Sequence, residues 1–251
     1  MAFGLAIFPL NVLIDTMIAW VFSAPVDTTI SWWGGGLVYP LSEGTVAAIY
    51  FSERLIQFPV GLLGVAIGVV VFPTFSRQAS QGAIKQLGTS LRESMRGNLI
   101  LAIPATAGLV LLAEPITALL FGHGEFTQVD VMRTSQMIAT YALGIWAYSL
   151  VPILVRGFYA AGDWRTPFRL GLGVLFLNLL LDFFLIWRWG ENALALSSAL
   201  SVILFVGLLV LTAHRRWRLL SATSPDEKSL GVTILQSVFA TGVMYEVGSY
   251  V

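Results

Sequence analysis

The sequence contains no cysteine, and this absence removes several kinds of site at once. A chain without thiols forms no disulfide framework, thiolate metal site or catalytic thiol. Histidine is nearly as scarce, because His123 and His214 are the two in the chain, too few for a histidine-rich metal cluster. Charged residues make up 11% of the chain and cancel to a net charge of zero. Without a basic field, nucleic acid is not an expected partner.

Apolar residues, in contrast, make up 57% of the chain, and the mean hydropathy is +0.81. Soluble domains carry about 25% charged residues, so this composition suits a bilayer. Seven apolar stretches approach or exceed the roughly 20 residues that a membrane helix needs. They cover residues 2–22, 45–72, 98–120, 132–155, 170–187, 193–213 and 230–250. Because backbone polar groups in lipid must pair within their own segment, we predict an all-α integral membrane protein with about seven transmembrane helices.

The basic residues predict the orientation of this bundle. Eleven of the 14 Lys and Arg residues fall in loops that seven alternating helices place on one side of the membrane. That side is expected to be cytoplasmic, together with the N-terminus. Residues 76–97 carry apolar side chains at helical spacing and predict an amphipathic helix on the cytoplasmic surface. Residues 23–44 are rich in aromatic residues and predict an interfacial loop. The last predicted span stops at Val251, as expected of a fragment or a split gene product.

Polar residues inside the spans are the candidate functional residues, because a charge at the bilayer centre is costly. Arg54 lies about ten residues into the second span, and Gln57 follows on the same helical face. An arginine is a fork of donors suited to phosphate or carboxylate. The sequence leaves open an anion-binding arginine, a snorkelling arginine and an arginine paired with an acid on another helix. Pro59 predicts a kink in the same span.

Two further polar pairs have the spacing of one helical turn. Asn11 and Asp15 lie four residues apart in the first span, and Asn178 and Asp182 lie four apart in the fifth. The sixth span adds hydroxyl groups that include Ser198. Two facing carboxylates would repel unless they bind a proton or a cation. The residues alone leave open a sodium site, a protonation site and plain hydrogen bonding between helices.

Three motifs resemble the MurJ (MviN) family of lipid II flippases, in the superfamily that includes MATE and polysaccharide exporters. Residues 52–68 read SERLIQFPVGLLGVAIG and precede FPTFS at 72–76. Residues 156–163 read RGFYAAGD, with RTP at 165–167, and residues 119–127 read LLFGHGEFT. Their order resembles helices seven to thirteen of a fourteen-helix protein, so the resemblance implies a second transport lobe of a MATE-like fold over residues 1–220. Residues 221–251 would hold a cytoplasmic linker and the first helix of a lipid-tail groove.

The resemblance also implies a function. Members flip an undecaprenyl-linked peptidoglycan precursor, lipid II, across the bacterial inner membrane by alternating access between two lobes. Arg54, with Gln57, would bind substrate in the central cavity. A sodium site would take ligands at positions that include the Leu194 carbonyl: Asp15, Asn178, Asp182, Leu194 and Ser198. The implied partners are lipid II, membrane lipids and a first lobe that this chain lacks.

Other functions remain as alternatives. The residues show no Ser-His-Asp set and no phosphate-binding glycine loop followed by a Walker-type lysine, so the chain is not expected to be an enzyme. A related exporter of lipid-linked polysaccharides or drugs would share the same fold. A non-transporting membrane scaffold is the third reading, because a chain without the first lobe is not expected to alternate access by itself.

Overall fold

The computed structural model describes residues 7–23, 29–32, 35–38 and 40–217. The first predicted span is helix α1 (Ile7–Phe22). The predicted interfacial loop contains a short hairpin, in which β1 (Thr29–Trp32) pairs antiparallel with β2 (Gly35–Val38). The predicted seventh span at 230–250 and the predicted domain boundary at residue 220 both lie outside the described residues.

The second span is one continuous helical path with a change of winding in its middle. Helix α2 (Thr45–Val60) passes into a π-helical segment (Gly61–Val65) and then into helix α3 (Ala66–Ser80). The change follows directly after Pro59, which has no amide hydrogen to donate to the preceding turn. The kink that the sequence predicts therefore takes the form of a π-helical segment, a feature often found at functional positions.

Helix α4 (Ile84–Phe121) runs for 38 residues and corrects one prediction. The expected separate surface helix over residues 76–97 does not form, because α3 ends at Ser80 and α4 already begins at Ile84. The first proline in α4 is Pro104, so nothing stops the helix before it enters the apolar part. The apolar spacing does mark one buried face of the helix, but that face packs on protein. Leu87, Leu91 and Met95 are buried in the protein core rather than lying on lipid.

The predicted fourth span is also different from expectation, because it is broken. Helix α5 (Gln128–Ala142) and helix α6 (Ile145–Ala160) meet at a bend of 46°. A side chain at Gly144, between them, would lie 2.8 Å from the Tyr148 ring and 3.3 Å from the Cα atom of Ala199. This close approach of the chain is what glycine permits at the bend.

Helices α7 (Arg165–Trp189) and α8 (Asn192–Trp217) agree with the fifth and sixth predicted spans. In the described part, four helical paths are long and apolar enough to cross a membrane, and the bent α5–α6 pair makes a fifth. Large apolar side chains lie fully on the outside, such as Leu119 at 82% and Val70 at 76% exposure. An outer surface of this kind suits hydrocarbon, and the prediction of a helical integral membrane protein is confirmed.

Helix α6 lies at the centre and is buried along most of its length. Its Ser149 backbone touches the π-helical segment so closely that a side chain at Gly64 would overlap it. Arg156, one turn before the end of α6, donates from Nη1 to the Val65 carbonyl at 3.0 Å. The C-terminal end of the π-helical segment is thus held against α6 by two neighbouring contacts.

Candidate functional site

A cluster of polar side chains lies inside the bundle where α1, α7 and α8 meet. Asp15, Asn178 and Asp182 have no exposed surface, and Ser198 has 3%. Each comes from the apolar part of a helix, and the basic residues of α7 and α8 lie toward the helix ends. The structure therefore brings together the two polar pairs that the sequence places on separate spans. We call these residues, together with Asn11 and Ser197, the acidic cluster.

Hydrogen bonds join α1 to α8 within the acidic cluster. The Ser198 hydroxyl donates to Asp15 Oδ2 at 2.6 Å. The Asn11 amide nitrogen donates to Asp15 Oδ2 at 3.1 Å and to Ser198 Oγ at 2.9 Å. Asn11 is thus a member that sequence reasoning paired with Asp15 but did not place among the site residues. Asn11 lies one helical turn before Asp15, and this spacing is the sequence feature that could have predicted it as a site residue.

A second set of bonds joins α7 to α8. The Ser197 hydroxyl donates to Asp182 Oδ1 and also lies 3.0 Å from the Leu194 carbonyl. The Asn178 amide occupies the middle of the acidic cluster. Its inner atom lies 2.7 Å from Asn11 Oδ1, 3.2 Å from Asp182 Oδ2 and 3.3 Å from Asp15 Oδ1. With nitrogen turned inward, this amide holds two carboxylates together by donating to both.

The donor set of the acidic cluster fits a hard cation. Oxygen atoms of Asn11, Asp15 and Asp182 surround the Asn178 amide, so the acidic cluster gathers carboxylate and amide oxygens within a few ångströms of one another. Carboxylate, amide, hydroxyl and carbonyl oxygens are what hard cations take. No three His, Cys, Asp or Glu side chains converge anywhere in the described ranges, so a zinc-type set is not present there.

Arg54 and Gln57 lie at a different place from the acidic cluster, near the outside of α2. The Arg54 guanidinium is 5.0 Å from the centre of the Tyr50 ring, and its Nη1 donates to Gln57 Oε1 at 3.4 Å. Among the described residues it forms no ion pair with a carboxylate. The predicted shared face of Arg54 and Gln57 is confirmed, and the alternative of an acid partner on another described helix is not what the structure shows.

A cavity of about 390 Å³ is lined by Gln57 and by members of the acidic cluster, although Arg54 does not line it. Its volume is within the usual range for ligand cavities. The members of the acidic cluster on its wall are Asn11 and Ser198. Most of the remaining wall is apolar, and the buried Ser201 hydroxyl on this wall has no hydrogen-bond partner in the described part of the chain.

Buried carboxylates and a cavity within a bundle of interrupted helices are features of membrane transport proteins. The family model described as "Lipid II flippase MurJ" matches residues 1–250. The chain belongs to this family, a family of transporters rather than enzymes.

Individual relatives agree with the family match. The chain is 30% identical over 212 residues to a probable lipid II flippase MurJ of Vibrio cholerae, covering 84% of this chain and 37% of that protein. It is 32% identical over 210 residues to the Thermotoga maritima relative, covering 84% and 42%. A solved structure of lipid II flippase MurJ in an inward closed conformation matches with a TM-score of 0.69 and 25% identity, over 81% of this chain and 41% of that one. The chain therefore spans about two fifths of the length of these proteins.

Proposed function

We propose that this chain is the second transport lobe of a flippase for lipid II in the bacterial inner membrane. It would work with the first lobe, which the relatives are long enough to contain, and with its N-terminus in the cytoplasm. Support comes from family membership and from a match to about two fifths of each relative. Alternating access would move the polar head of the substrate between the two lobes while its hydrocarbon tail stays in the bilayer.

The exposed guanidinium of Arg54 carries the substrate part of this proposal. It lies on an outer face of α2 and is held by an aromatic ring and an amide, neither of which neutralises it. An exposed arginine without a carboxylate partner can bind an anion. Its planar fork of donors suits the two phosphates of an undecaprenyl diphosphate head. Gln57 fixes the direction of the fork and also faces the large cavity.

Replacing Arg54 with alanine is expected to weaken binding of a diphosphate lipid by tenfold or more. Hydrogen bonds to charged groups contribute about 1.5–3 kcal/mol, and about 1.4 kcal/mol corresponds to tenfold. The measurement is titration of the chain in nanodiscs with undecaprenyl diphosphate, undecaprenyl monophosphate and neutral undecaprenol. Arg54→Lys should lose less, because it keeps the charge but not the fork.

The matched control is Arg188→Ala, which removes an exposed arginine of α7 that does not line the large cavity and should leave binding unchanged. Equal affinity for undecaprenol and undecaprenyl diphosphate would contradict the diphosphate assignment and favour a related exporter. Equal affinity of Arg54→Ala and the unaltered chain would contradict the role of Arg54.

We further propose that the acidic cluster binds one sodium ion. The ligands would be the side-chain oxygens of four residues and one backbone carbonyl: Asp15, Asn178, Asp182, Ser198 and Leu194. A sodium ion would neutralise two carboxylates that lie within bonding distance of the same amide. Asn11 would be a further candidate ligand, because its Oδ1 lies 2.7 Å from the same Asn178 amide. Bound sodium would tie α1 to α7 and α8.

Sodium is expected to raise the Tm of the chain relative to the same concentration of potassium. Sodium at ten times its Kd would add about 1.4 kcal/mol of stability. In a chain of this size that corresponds to roughly 3–6 °C in Tm. Asp182→Asn should abolish the difference, and Glu114→Gln, an exposed acid on α4, should keep it. A rise that is equal in both salts, or that survives in Asp182→Asn, would contradict the sodium site.

A further inference from the structure

The large cavity, of about 390 Å³, has a wall on which none of the described residues is charged. Helices α1, α2, α6, α7 and α8 and the π-helical segment contribute to this wall, and most of the side chains are apolar. A charged ligand would lose its water here and find no opposite charge in its place, which is costly. The wall therefore suits a neutral ligand with a mostly apolar surface.

Missing side chains help to create this space. Gly61 and Gly171 both lie on the wall, and a Cβ atom at Gly61 would meet nothing within 4 Å. Protein interiors are close-packed and have few voids larger than a water molecule. The atoms that line an empty space lose their contacts on one side. A cavity of this volume is therefore a place for a guest molecule rather than ordinary packing.

The Ser201 hydroxyl gives independent support for a guest in the large cavity. Ser201 lies on the wall and is 4% exposed, and its hydroxyl has no hydrogen-bond partner in the described part of the chain. Two other hydroxyl groups of α8 bond to a backbone carbonyl of the preceding turn, Ser197 at 3.0 Å and Thr212 at 2.8 Å. Buried polar groups are nearly always paired. A guest molecule would supply the partner that Ser201 lacks.

The other polar side chains on the wall already have partners. Asn11 bonds Ser198, and both bond Asp15 of the acidic cluster. Gln57 and Tyr148 likewise have partners. A ligand with one hydrogen-bonding group would be satisfied by the Ser201 hydroxyl, whereas further polar groups on the ligand would be left unpaired. The wall therefore selects a hydrocarbon body with a single polar group.

The volume of the cavity limits the size of the ligand. An apolar cavity of about 150 Å³ in another protein binds benzene, which has six carbon atoms. By proportion, 390 Å³ takes on the order of 15 non-hydrogen atoms. A medium-chain alcohol is within this limit, and a whole undecaprenyl chain is not.

We propose that the large cavity binds a small neutral molecule with a hydrocarbon body and one hydroxyl or carbonyl group. The polar group bonds to the Ser201 hydroxyl, and the hydrocarbon body packs on Val174, Val202 and Phe205. The ligand thereby fills the space between the π-helical segment and α8. This inference does not depend on the lipid II and sodium proposals, because the wall offers no charge to a diphosphate and neither carboxylate of the acidic cluster lines it.

Photolabelling with a pair of matched probes tests this site. One probe is an octanol that carries a diazirine, and the other is the same molecule without the hydroxyl group. Light expels nitrogen from the diazirine, and the resulting carbene inserts into a neighbouring C–H or O–H bond. The chain is labelled in nanodiscs, and the modified residues are identified by peptide mass spectrometry.

We expect saturable labelling on the wall, for example at Leu175 and Phe205, that an excess of 1-octanol removes. The neighbouring Phe176 is 63% exposed on the outside of α7, so its labelling should rise in proportion to probe concentration. Undecaprenyl diphosphate should not compete with the probe. Failure of the flippase proposal would therefore leave this result unchanged.

Ser201→Ala tests the hydrogen bond. It should weaken saturable binding of the hydroxyl probe by roughly two- to tenfold, which is the effect of one neutral hydrogen bond. The probe without a hydroxyl group should bind equally well to Ser201→Ala and to the unaltered chain. The difference between the two probes separates a hydrogen bond to Ser201 from a general change in the cavity.

Gly61→Leu tests the cavity itself, because its side chain would occupy the space that both probes need. Saturable labelling by both probes should be lost. Gly173→Leu is the matched control, since Gly173 is exposed on α7 and a Cβ atom there also meets nothing within 4 Å. Val202→Phe provides a second filling variant if Gly61→Leu does not fold.

Four outcomes would overturn the proposal. Labelling that stays proportional to probe concentration on the wall would show that the cavity is not a binding site. Saturable labelling that persists in the filling variants would show the same. An equal effect of Ser201→Ala on both probes would contradict the role of its hydroxyl. Competition by undecaprenyl diphosphate would assign the cavity to the lipid substrate instead.

Discussion

Gly64→Ala is expected to destabilise the chain by about 2–3 kcal/mol, although alanine ordinarily favours helices over glycine. The added Cβ atom would lie 2.7 Å from the Cα atom of Ser149, well inside van der Waals contact. Backbone atoms cannot rotate out of the way as a flexible side chain can. The π-helical segment would have to separate from α6, and Tm should fall by roughly 5–10 °C.

The surrounding bonds explain why this clash would not be relieved cheaply. The Asn98 amide donates to Ser149 Oγ at 2.7 Å, and both residues are fully buried. Helix α6 is therefore fixed from the side of α4 just where Gly64 meets it. On the other side Arg156 holds the Val65 carbonyl. A shift of α6 by a few tenths of an ångström would strain both contacts.

Gly61→Ala is the matched control, because it changes the same residue type in the same π-helical segment. A Cβ atom at Gly61 meets nothing within 4 Å. Here the helix-favouring effect of alanine should dominate, and stability should rise slightly or stay the same. The measurement is thermal unfolding of both variants in the same detergent. If Gly64→Ala unfolded at the same temperature as Gly61→Ala, the close contact with Ser149 would not be a feature of the folded protein.

The sequence predicted the membrane-crossing helices well, because hydrocarbon imposes a simple rule on long apolar runs. Six of the seven predicted spans agree with helical paths in the described residues, and the seventh lies outside them. The predicted breaks were less accurate. Pro59 predicts an interruption of the helix because it lacks an amide hydrogen. The bend at Gly144 depends on the close approach of Tyr148 and Ala199, which cannot be predicted from a single glycine in the sequence.

The acidic cluster was predictable only in part. Helical spacing placed Asn11 with Asp15 and Asn178 with Asp182, and the family resemblance selected Ser198 among the hydroxyl groups of the sixth span. The central position of the Asn178 amide, which lies within 3.3 Å of both Asp15 and Asp182, depends on the packing of α1 against α7. A cavity of about 20 Å³ beside the acidic cluster, with Glu53 and Tyr141 on its wall, could not be predicted at all. Its lining comes from five helices, so no local pattern in the chain marks Glu53 and Tyr141 as neighbours.

Arg133→Ala is expected to cost about 2–3 kcal/mol, because it breaks a cluster of bonds at one end of the bundle. Arg133 donates from Nε to Glu191 Oε1 at 2.9 Å and from Nη2 to Glu191 Oε2 at 2.6 Å. It also bonds the Ser42 hydroxyl at 2.7 Å and the Glu43 carbonyl at 3.1 Å, just before α2. Breaking a buried ion pair costs about 3–5 kcal/mol. The side chains here keep 22% and 16% exposure, which lowers the expected cost.

Part of that cost should come from the carboxylate that is left behind, and a double variant separates this part. In Arg133→Ala the Glu191 side chain would keep only the Thr45 hydroxyl, at 3.1 Å, among its described side-chain partners. Adding Glu191→Gln removes the unpaired charge, so the double variant should be more stable than Arg133→Ala alone. Thermal unfolding of the single and double variants gives the comparison.

Arg216→Ala is the control at another loop of the bundle. Arg216 pairs with Asp163 between α6 and α7, but its side chain is 49% exposed, and exposed pairs contribute about 0–1 kcal/mol. The expected order of unfolding temperatures is therefore Arg216→Ala above the double variant, and the double variant above Arg133→Ala. An Arg133→Ala chain as stable as Arg216→Ala would contradict the view that Arg133 joins α5, the start of α2 and the α7–α8 turn into one unit.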